Sequence, residues 1–184
     1  MKRILFSAAC TLFLSIGSNA QQFFTKNGTI SFFSKTPMEN IDAKNSQVMS
    51  VLVLPSGDFK FSLTIKNFHF EKALMEEHFN ENYMESEKYP KASFSGKIGD
   101  AGNINLKKDE TYKVEVNGEL TIHGVTQKVS VPGTVTVKSG KISANSTFNI
   151  ELADYKVVIP KMVENNISKT IEITVDCAYQ PKQK

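Results

Sequence analysis

The chain has 184 residues, 40% hydrophobic and 22% charged, with a formal net charge of +3 at pH 7. Without Lys2 and Arg3, which belong to an expected export segment, the basic count falls from 22 to 20, all lysine, against 19 acids. A near-neutral chain without arginine lacks the usual bidentate reader of phosphate and guanine, which argues against nucleic acid as a partner and against phosphate chemistry.

Met1-Lys2-Arg3 leads into the apolar run Ile4 to Ile16, and small residues follow at Ser18 and Ala20. This is the pattern of a secretory signal peptide, residues 1–20, with cleavage expected after Ala20 and residues 21–184 left as a single domain. The run is too short to cross a bilayer, which takes about 20 apolar residues, and no later segment is long and uncharged enough to do so. Ser7-Ala8-Ala9 places small residues ahead of Cys10 as in a lipoprotein acceptor, but the apolar stretch before it is too short. Once Cys10 is removed only Cys177 remains, so no intramolecular disulfide forms and stability must come from a core.

From Gly28 onward the sequence alternates with period two, the mark of strands with one buried and one wet face. Less regular strands are expected at Thr29 to Ser34 and Gln47 to Leu54. Phe59, Phe61, Leu63 and Ile65 then form one inner row, and Ala92, Phe94, Gly96 and Ile98 another. The clearest case runs from Thr111 to Ile122, with Tyr112, Val114, Val116, Gly118, Leu120 and Ile122 on one side. Val129 to Val137 follows, where Pro132 is tolerable only at an edge or irregularity. Ile142 to Leu152 and Lys169 to Tyr179 complete about eight strands. Pro55-Ser56-Gly57-Asp58, Asp100-Ala101-Gly102-Asn103 and Ser139-Gly140 supply turn chemistry, so sequence neighbours pair in space. Between Phe70 and Tyr83 the spacing of Leu74, Met75, His78, Phe79 and Tyr83 predicts one or two helical turns.

Eight antiparallel strands, each apolar on one face, either close into an up-and-down barrel or stack as a sandwich; strands of 10 to 12 residues favour the barrel. The fold expected is therefore all-β, an eight-stranded antiparallel lipocalin-like barrel with a short helical segment. At that size the interior is either filled or holds one small ligand. Small inner residues, Ala92, Gly96, Gly118, Gly133 and Ala144, leave room inside or else bend strands and relieve crowding. Composition does not separate the two.

Two motifs carry a resemblance. Leu74-Met75-Glu76-Glu77-His78-Phe79-Asn80-Glu81-Asn82-Tyr83-Met84, followed by Tyr89-Pro90-Lys91-Ala92-Ser93-Phe94, resembles the signature of the YceI-like family. So does Gly118-Glu119-Leu120-Thr121-Ile122-His123-Gly124-Val125-Thr126-Gln127-Lys128-Val129. The resemblance covers roughly Gly28 to Tyr179. It implies a lipocalin-like barrel in exported bacterial proteins, periplasmic or secreted, with an amphiphilic polyisoprenoid inside in characterised relatives. Homodimerisation rests on family analogy alone. The family's usual aromatic-Asp-Ser-His opening is absent; that region reads Thr29-Ile30-Ser31-Phe32-Phe33-Ser34-Lys35, so a head-group site does not transfer.

His69, His78 and His123 are the only histidines and follow no standard metal spacing, so no metal or other cofactor is expected; His78 falls in the helical segment and His123 in a tight His-Gly turn. Glu76, Glu77, Glu81, Glu85 and Glu87 read as the wet face of that helix and its following loop. No nucleophile elbow, phosphate loop or dinucleotide fingerprint occurs, and nearly all ionisable residues point outward, Lys169 excepted. An enzyme is not expected. The expected cavity-lining residues for an amphiphilic lipid, quinone or acyl chain are Phe61, Leu63, Phe94, Leu120, Ile122, Phe148 and Ile150. The alternative is a filled barrel acting as a structural or stress-response interaction module.

Overall fold

A strand with one apolar face must bury it, and a sheet of such strands has exposed edges until it closes on itself. The computed structural model describes residues 21–182; the expected export segment and the Cys10 reading lie outside the described residues. Nine strands form one antiparallel sheet: β1 (Gln21–Lys35), β2 (Asn40–Leu54), β3 (Asp58–Thr64), β4 (His69–Phe70), β5 (Lys91–Ile98), β6 (Glu110–Ile122), β7 (Val125–Lys138), β8 (Lys141–Glu151) and β9 (Thr170–Pro181). The order β1-β9-β8-β7-β6-β5-β3-β2 is closed by pairing of β1 with β2, which makes an eight-stranded barrel. The two-residue β4 is an addition at the start of β2, with Phe70 opposite Ala43 and His69 opposite Lys44. A short helix, α1 (Ala73–His78), runs directly into a π-helical turn at Phe79–Tyr83.

Strands β1 and β2 are each 15 residues long, far longer than the alternation suggests. The reason is a change of phase in both. In β1, Phe23 and Thr25 are buried on odd numbers, then Gly28, Ile30 and Ser34 on even numbers, with Lys26 and Asn27 both exposed between them. In β2, Ala43 and Asn45 give way to Val48, Ser50 and Leu52 across exposed Ser46 and Gln47. The two irregularities face each other: Thr25 pairs with Ser50, Gly28 with Val48 and Ile30 with Asn45. An extra residue on each strand keeps the same face inward along the length, as bulges do. Asn45, fully buried, donates from Nδ2 to the Thr64 carbonyl (3.0 Å) and accepts from the Gln47 N–H (2.9 Å), so the displaced backbone is satisfied by a side chain.

The hairpin turns follow their chemistry. His123 and Gly124 have φ of 51° and 71°, and Ser139 and Gly140 have 50° and 73°, so both two-residue loops take the mirror-image turn that matches strand twist. Pro132 sits where the wall changes. Strands β7 and β8 pair only from Thr134–Asn145 to Lys138–Lys141, so residues 125–133 of β7 pair with β6 alone and 146–151 of β8 with β9 alone. Pro132, lacking an N–H, stands next to the point where the strands part. Side chains bridge the seam: Ser146 Oγ donates to the Pro132 carbonyl (2.6 Å), and Gln127 Nε2 to the Asp154 carbonyl (2.8 Å).

The end of the barrel holding the β2–β3 and β7–β8 turns is closed by Val48, Leu52, Val135, Val137, Ile142, Cys177 and Tyr179, each at most 4% exposed. Tyr179 lies 2.8 Å from Ser50 Oγ, which itself donates to the Lys60 carbonyl (3.0 Å), so the phenol is the donor of the pair. Burial pushes the Cys177 thiol from its ordinary 9.0 up to about 11, and burial also raises the Tyr179 phenol. The unfolded chain therefore loses these protons before the folded one does. Their contribution is intact below pH 9 and is lost as pH rises through about 11. Urea midpoints measured from pH 8 to 11 are expected to fall steeply above 9, and Cys177→Ala to flatten that slope; parallel curves for the two proteins would refute the assignment to this thiol.

Candidate functional site

The long connections, 65–90 and 152–169, both emerge at the end of the barrel opposite the packed one. There the inner rows of the strands run past the last ladder bonds and need a cover. It is built from aromatic rings. Phe32 on β1 meets Phe68, Phe70 and Phe79 with centroids 5.4 to 5.7 Å away, and Phe70 and Phe79 are 5.1 Å apart, the separations at which tilted and edge-to-face rings attract. A helix of six residues does not stand on its own propensity. Glu76 Oε2 accepts from the Phe70 N–H (3.2 Å) and Asn80 Nδ2 donates to the Glu76 carbonyl (2.8 Å), so α1 is tied to the segment before it and the turn after it.

Two further ties hold the cover to the rim. The Glu39 carboxylate, in the turn after β1, accepts from Lys72 Nζ (3.1 Å) and from Asn166 Nδ2 (3.4 Å), and both partners hold its carboxyl below the ordinary value. Ser34 Oγ accepts from the Ser168 N–H (2.8 Å). On the far side, His123 places Nδ1 3.1 Å from the Tyr155 carbonyl and Nε2 2.9 Å from Glu85 Oε2, with the Tyr89 ring edge-on at 4.7 Å. Glu85 itself has φ of 43°. One imidazole thus joins the end of the helical segment, the β6–β7 turn and the connection after β8.

Beneath the cover lies a cavity of about 270 Å³, with Ile30, Leu63, Ile65, Ala92, Ile171 and Ile173 among its walls. A second, deeper space of about 60 Å³ adjoins it, and Phe61, Leu120 and Phe148 line both. The polar side chains of the larger space, Ser34, Glu39, His78, Tyr83, Tyr155 and Asn166, are on β1 and the segments at the mouth, and its deep walls are hydrocarbon. For scale, a dry apolar cavity of roughly 150 Å³ is enough to take benzene. Tyr155 is the polar group farthest from balance: it is 2% exposed, its hydroxyl has no hydrogen-bond partner, and burial and Asp154 raise its pKa.

The structure places the seven residues read as ligand contacts around the two spaces. Leu63, Ile122 and Ile150 face the larger space, Phe94 the deeper one, and Phe61, Leu120 and Phe148 the neck between them. Period-two alternation alone did not give Phe68, Phe79, Tyr83 and Met84, because outside strands it does not say which way a side chain points. Leu74, counted on the apolar side of the helix, is 60% exposed. Lys169 is exposed as well and not inward. The paired glycines Gly96 and Gly118 do not open space: a Cβ at either would lie 2.8 or 2.5 Å from Phe94 Cζ, so the ring occupies the room they leave. Gly133 differs, since its Cβ would meet nothing nearer than 3.2 Å.

The histidines do not converge. His69 is exposed on β4 with Nδ1 3.6 Å from Glu76 Oε2, His78 is exposed at the mouth, and His123 is at the hairpin. Among the described residues no three of His, Cys, Asp or Glu are grouped as a metal site would need. The acids of the helical segment stand on its wet side, apart from Glu76 and Glu85, which make the contacts above. The pairing of Glu85 with His123, 38 positions apart, has no local signal in the sequence.

The family model of the YceI-like domain matches residues 10–179. No curated protein matches the chain. Among solved structures, a polyisoprenoid binding domain from Saccharophagus degradans implicated in plant cell wall breakdown superposes with a TM-score of 0.77 at 16% identity, covering 88% of this chain and 98% of that one. Burkholderia cenocepacia BcnA gives 0.69 at 16%, covering 83% and 96%. A Campylobacter jejuni YCEI protein gives 0.55 at 15%, covering 100% and 91%. At these identities the likeness is one of fold.

His123→Ala leaves the buried Tyr155 carbonyl without its donor and frees Glu85, which is expected to cost about 1–3 kcal/mol. Urea unfolding of the variant checks this; an unchanged midpoint would remove the imidazole from its place as a structural tie.

Proposed function

This chain belongs to the YceI-like family, and from that premise we propose that it binds the apolar tail of an amphiphilic lipid, of the isoprenoid, quinone or acyl-chain class, within its barrel. The observation that carries the reading is the 270 Å³ cavity, hydrocarbon in its depth and polar only toward its mouth. A filled barrel acting as an interaction module would lack that space. The polyisoprenoid binding of the Saccharophagus domain supports the isoprenoid class among the three.

Binding of this kind needs no reacting group. Each CH₂ taken from water contributes about 0.8 kcal/mol before the costs of ordering, so shape and apolar area suffice for affinity. The polar groups of the rim, Ser34, Glu39, His78 and Asn166, are where a head group would rest. The seven inward residues from Phe61 to Ile150 are the proposed contacts with the tail. The walls of both spaces present almost only hydrocarbon surface, and the Cys177 thiol and Tyr179 phenol that border the deeper one are held protonated by burial, which supports a carrier over an enzyme. The signal-like residues 1–20 support action after export, in a periplasm or outside the cell, where a carrier shields hydrocarbon during transit between membranes.

Native mass spectrometry of the protein purified gently from the exporting cell, followed by solvent extraction, is the direct test. A stoichiometric lipid is expected to accompany the wild-type protein. Ala92, 7% exposed on the wall of the larger space, offers a blocking variant: Ala92→Phe should lower occupancy at least tenfold while far-UV circular dichroism stays that of a β-protein. A wild-type mass that stays bare after incubation with quinones and polyprenyl lipids would overturn the reading.

A further inference from the structure

The interior has a neck, and one aromatic ring decides what passes below it. Phe61, Phe94 and Leu120 are directly opposite one another on β3, β5 and β6, a single cross-strand row pointing inward. Three bulky side chains in one row would close the barrel at that level. Phe61 and Leu120 do reach both spaces, as Phe148 does from the other wall. Phe94 lines only the deeper space. Its ring lies along the wall over the next inner row, where Gly96 stands opposite Gly118, and a Cβ on either glycine would be within 2.8 Å of the ring tip. The phenyl is therefore folded down onto a glycine floor, with the Phe59 ring 5.6 Å away. Folded down, the ring stays out of the larger space and occupies the room over the two glycines.

We propose that Phe94 is the specificity-determining residue for tail length, the stop against which the end of the bound hydrocarbon rests. This rests on the lipid-binding reading above. Scaled against the benzene-binding cavity of roughly 150 Å³, the two spaces together take on the order of a dozen carbons. Longer tails leave the excess at the mouth, where it gains little.

The geometry allows the limit to be moved in both directions. Phe94→Leu and Phe94→Ala remove the ring and deepen the pocket. Gly133→Val fills the deeper space from the β7 wall without touching the larger one, its Cβ tight at 3.2 Å against the Asn145 carbonyl oxygen, which must yield by a few tenths of an ångström. Affinities of linear alcohols of about 8 to 20 carbons, from displacement of an environment-sensitive dye, should rise up to about fourfold per carbon in the wild-type protein and then level off near a dozen. The break is expected to move outward by roughly four to six carbons in Phe94→Ala, less in Phe94→Leu, and inward by about two in Gly133→Val, on the same volume scale. If wild-type and Phe94 variants both bind but break at the same length, the stop is elsewhere and this inference falls while lipid binding stands. If the wild-type protein binds none of the alcohols at any length, the lipid-binding reading fails, and this inference with it.

Discussion

The barrel exists because β1 pairs along both of its edges, with β2 on one side and β9 on the other. Every other strand joins its neighbours in sequence order, β4 aside, and would give only a long curled sheet. Closing it requires the first strand to reach the last, and both β1 and β2 to keep one face inward over 15 residues of strongly bent backbone. The facing bulges at Lys26–Asn27 and Ser46–Gln47 let them do so, with Asn45 satisfying the backbone groups that the ladder leaves out. Thr25 and Ser50 sit inside, paired with each other at one end of this irregularity, and the Ser50–Tyr179 hydrogen bond ties it to β9 across the interior. Closure and the packed end of the barrel are thus one construction.

That construction separates stability from binding along the barrel axis. The end with the β2–β3 and β7–β8 turns carries most of the fully buried aliphatic side chains, and the end with long connections is covered by rings that pack on one another and, through Phe68, on the core below. Cys177 and Tyr179, raised in pKa by burial, mark the dry end. Glu39, Lys72 and Asn166 mark the wet one. Between them the inner rows change from packing against each other to facing empty space.

Much of this was legible in the sequence where a strand had one wet and one dry face and no interruption. β6 and β9 were of that kind, and so the inner rows that wall the cavity could be named. β1 and β2 were shortened by the reading because a bulge moves the apolar residues from odd to even numbers, and a strict period-two pattern ends there. The glycines were ambiguous for a different reason. Whether Gly96 and Gly118 leave a void depends on which side chain stands across the sheet, and only the register shows that Phe94 fills it. Cover residues such as Phe68 and Phe79, and the Glu85–His123 contact, depend on packing between distant segments that no local period encodes.

The seam beside Pro132 gives the wall an uneven stiffness. Around most of the circumference, widening the barrel means breaking backbone ladder bonds that act together. Between residues 125–133 of β7 and 146–151 of β8 it means parting a serine and a glutamine from two carbonyls. That line, which runs past Phe148 at the neck, is one place where side chains hold the wall in place of the ladder; the stretch of β2 before Met49, where Asn45 reaches the Thr64 carbonyl, is another. A wall joined in this way widens at less cost there than along a full ladder, so the capacity of the cavity depends on its staves as well as on the side chains within.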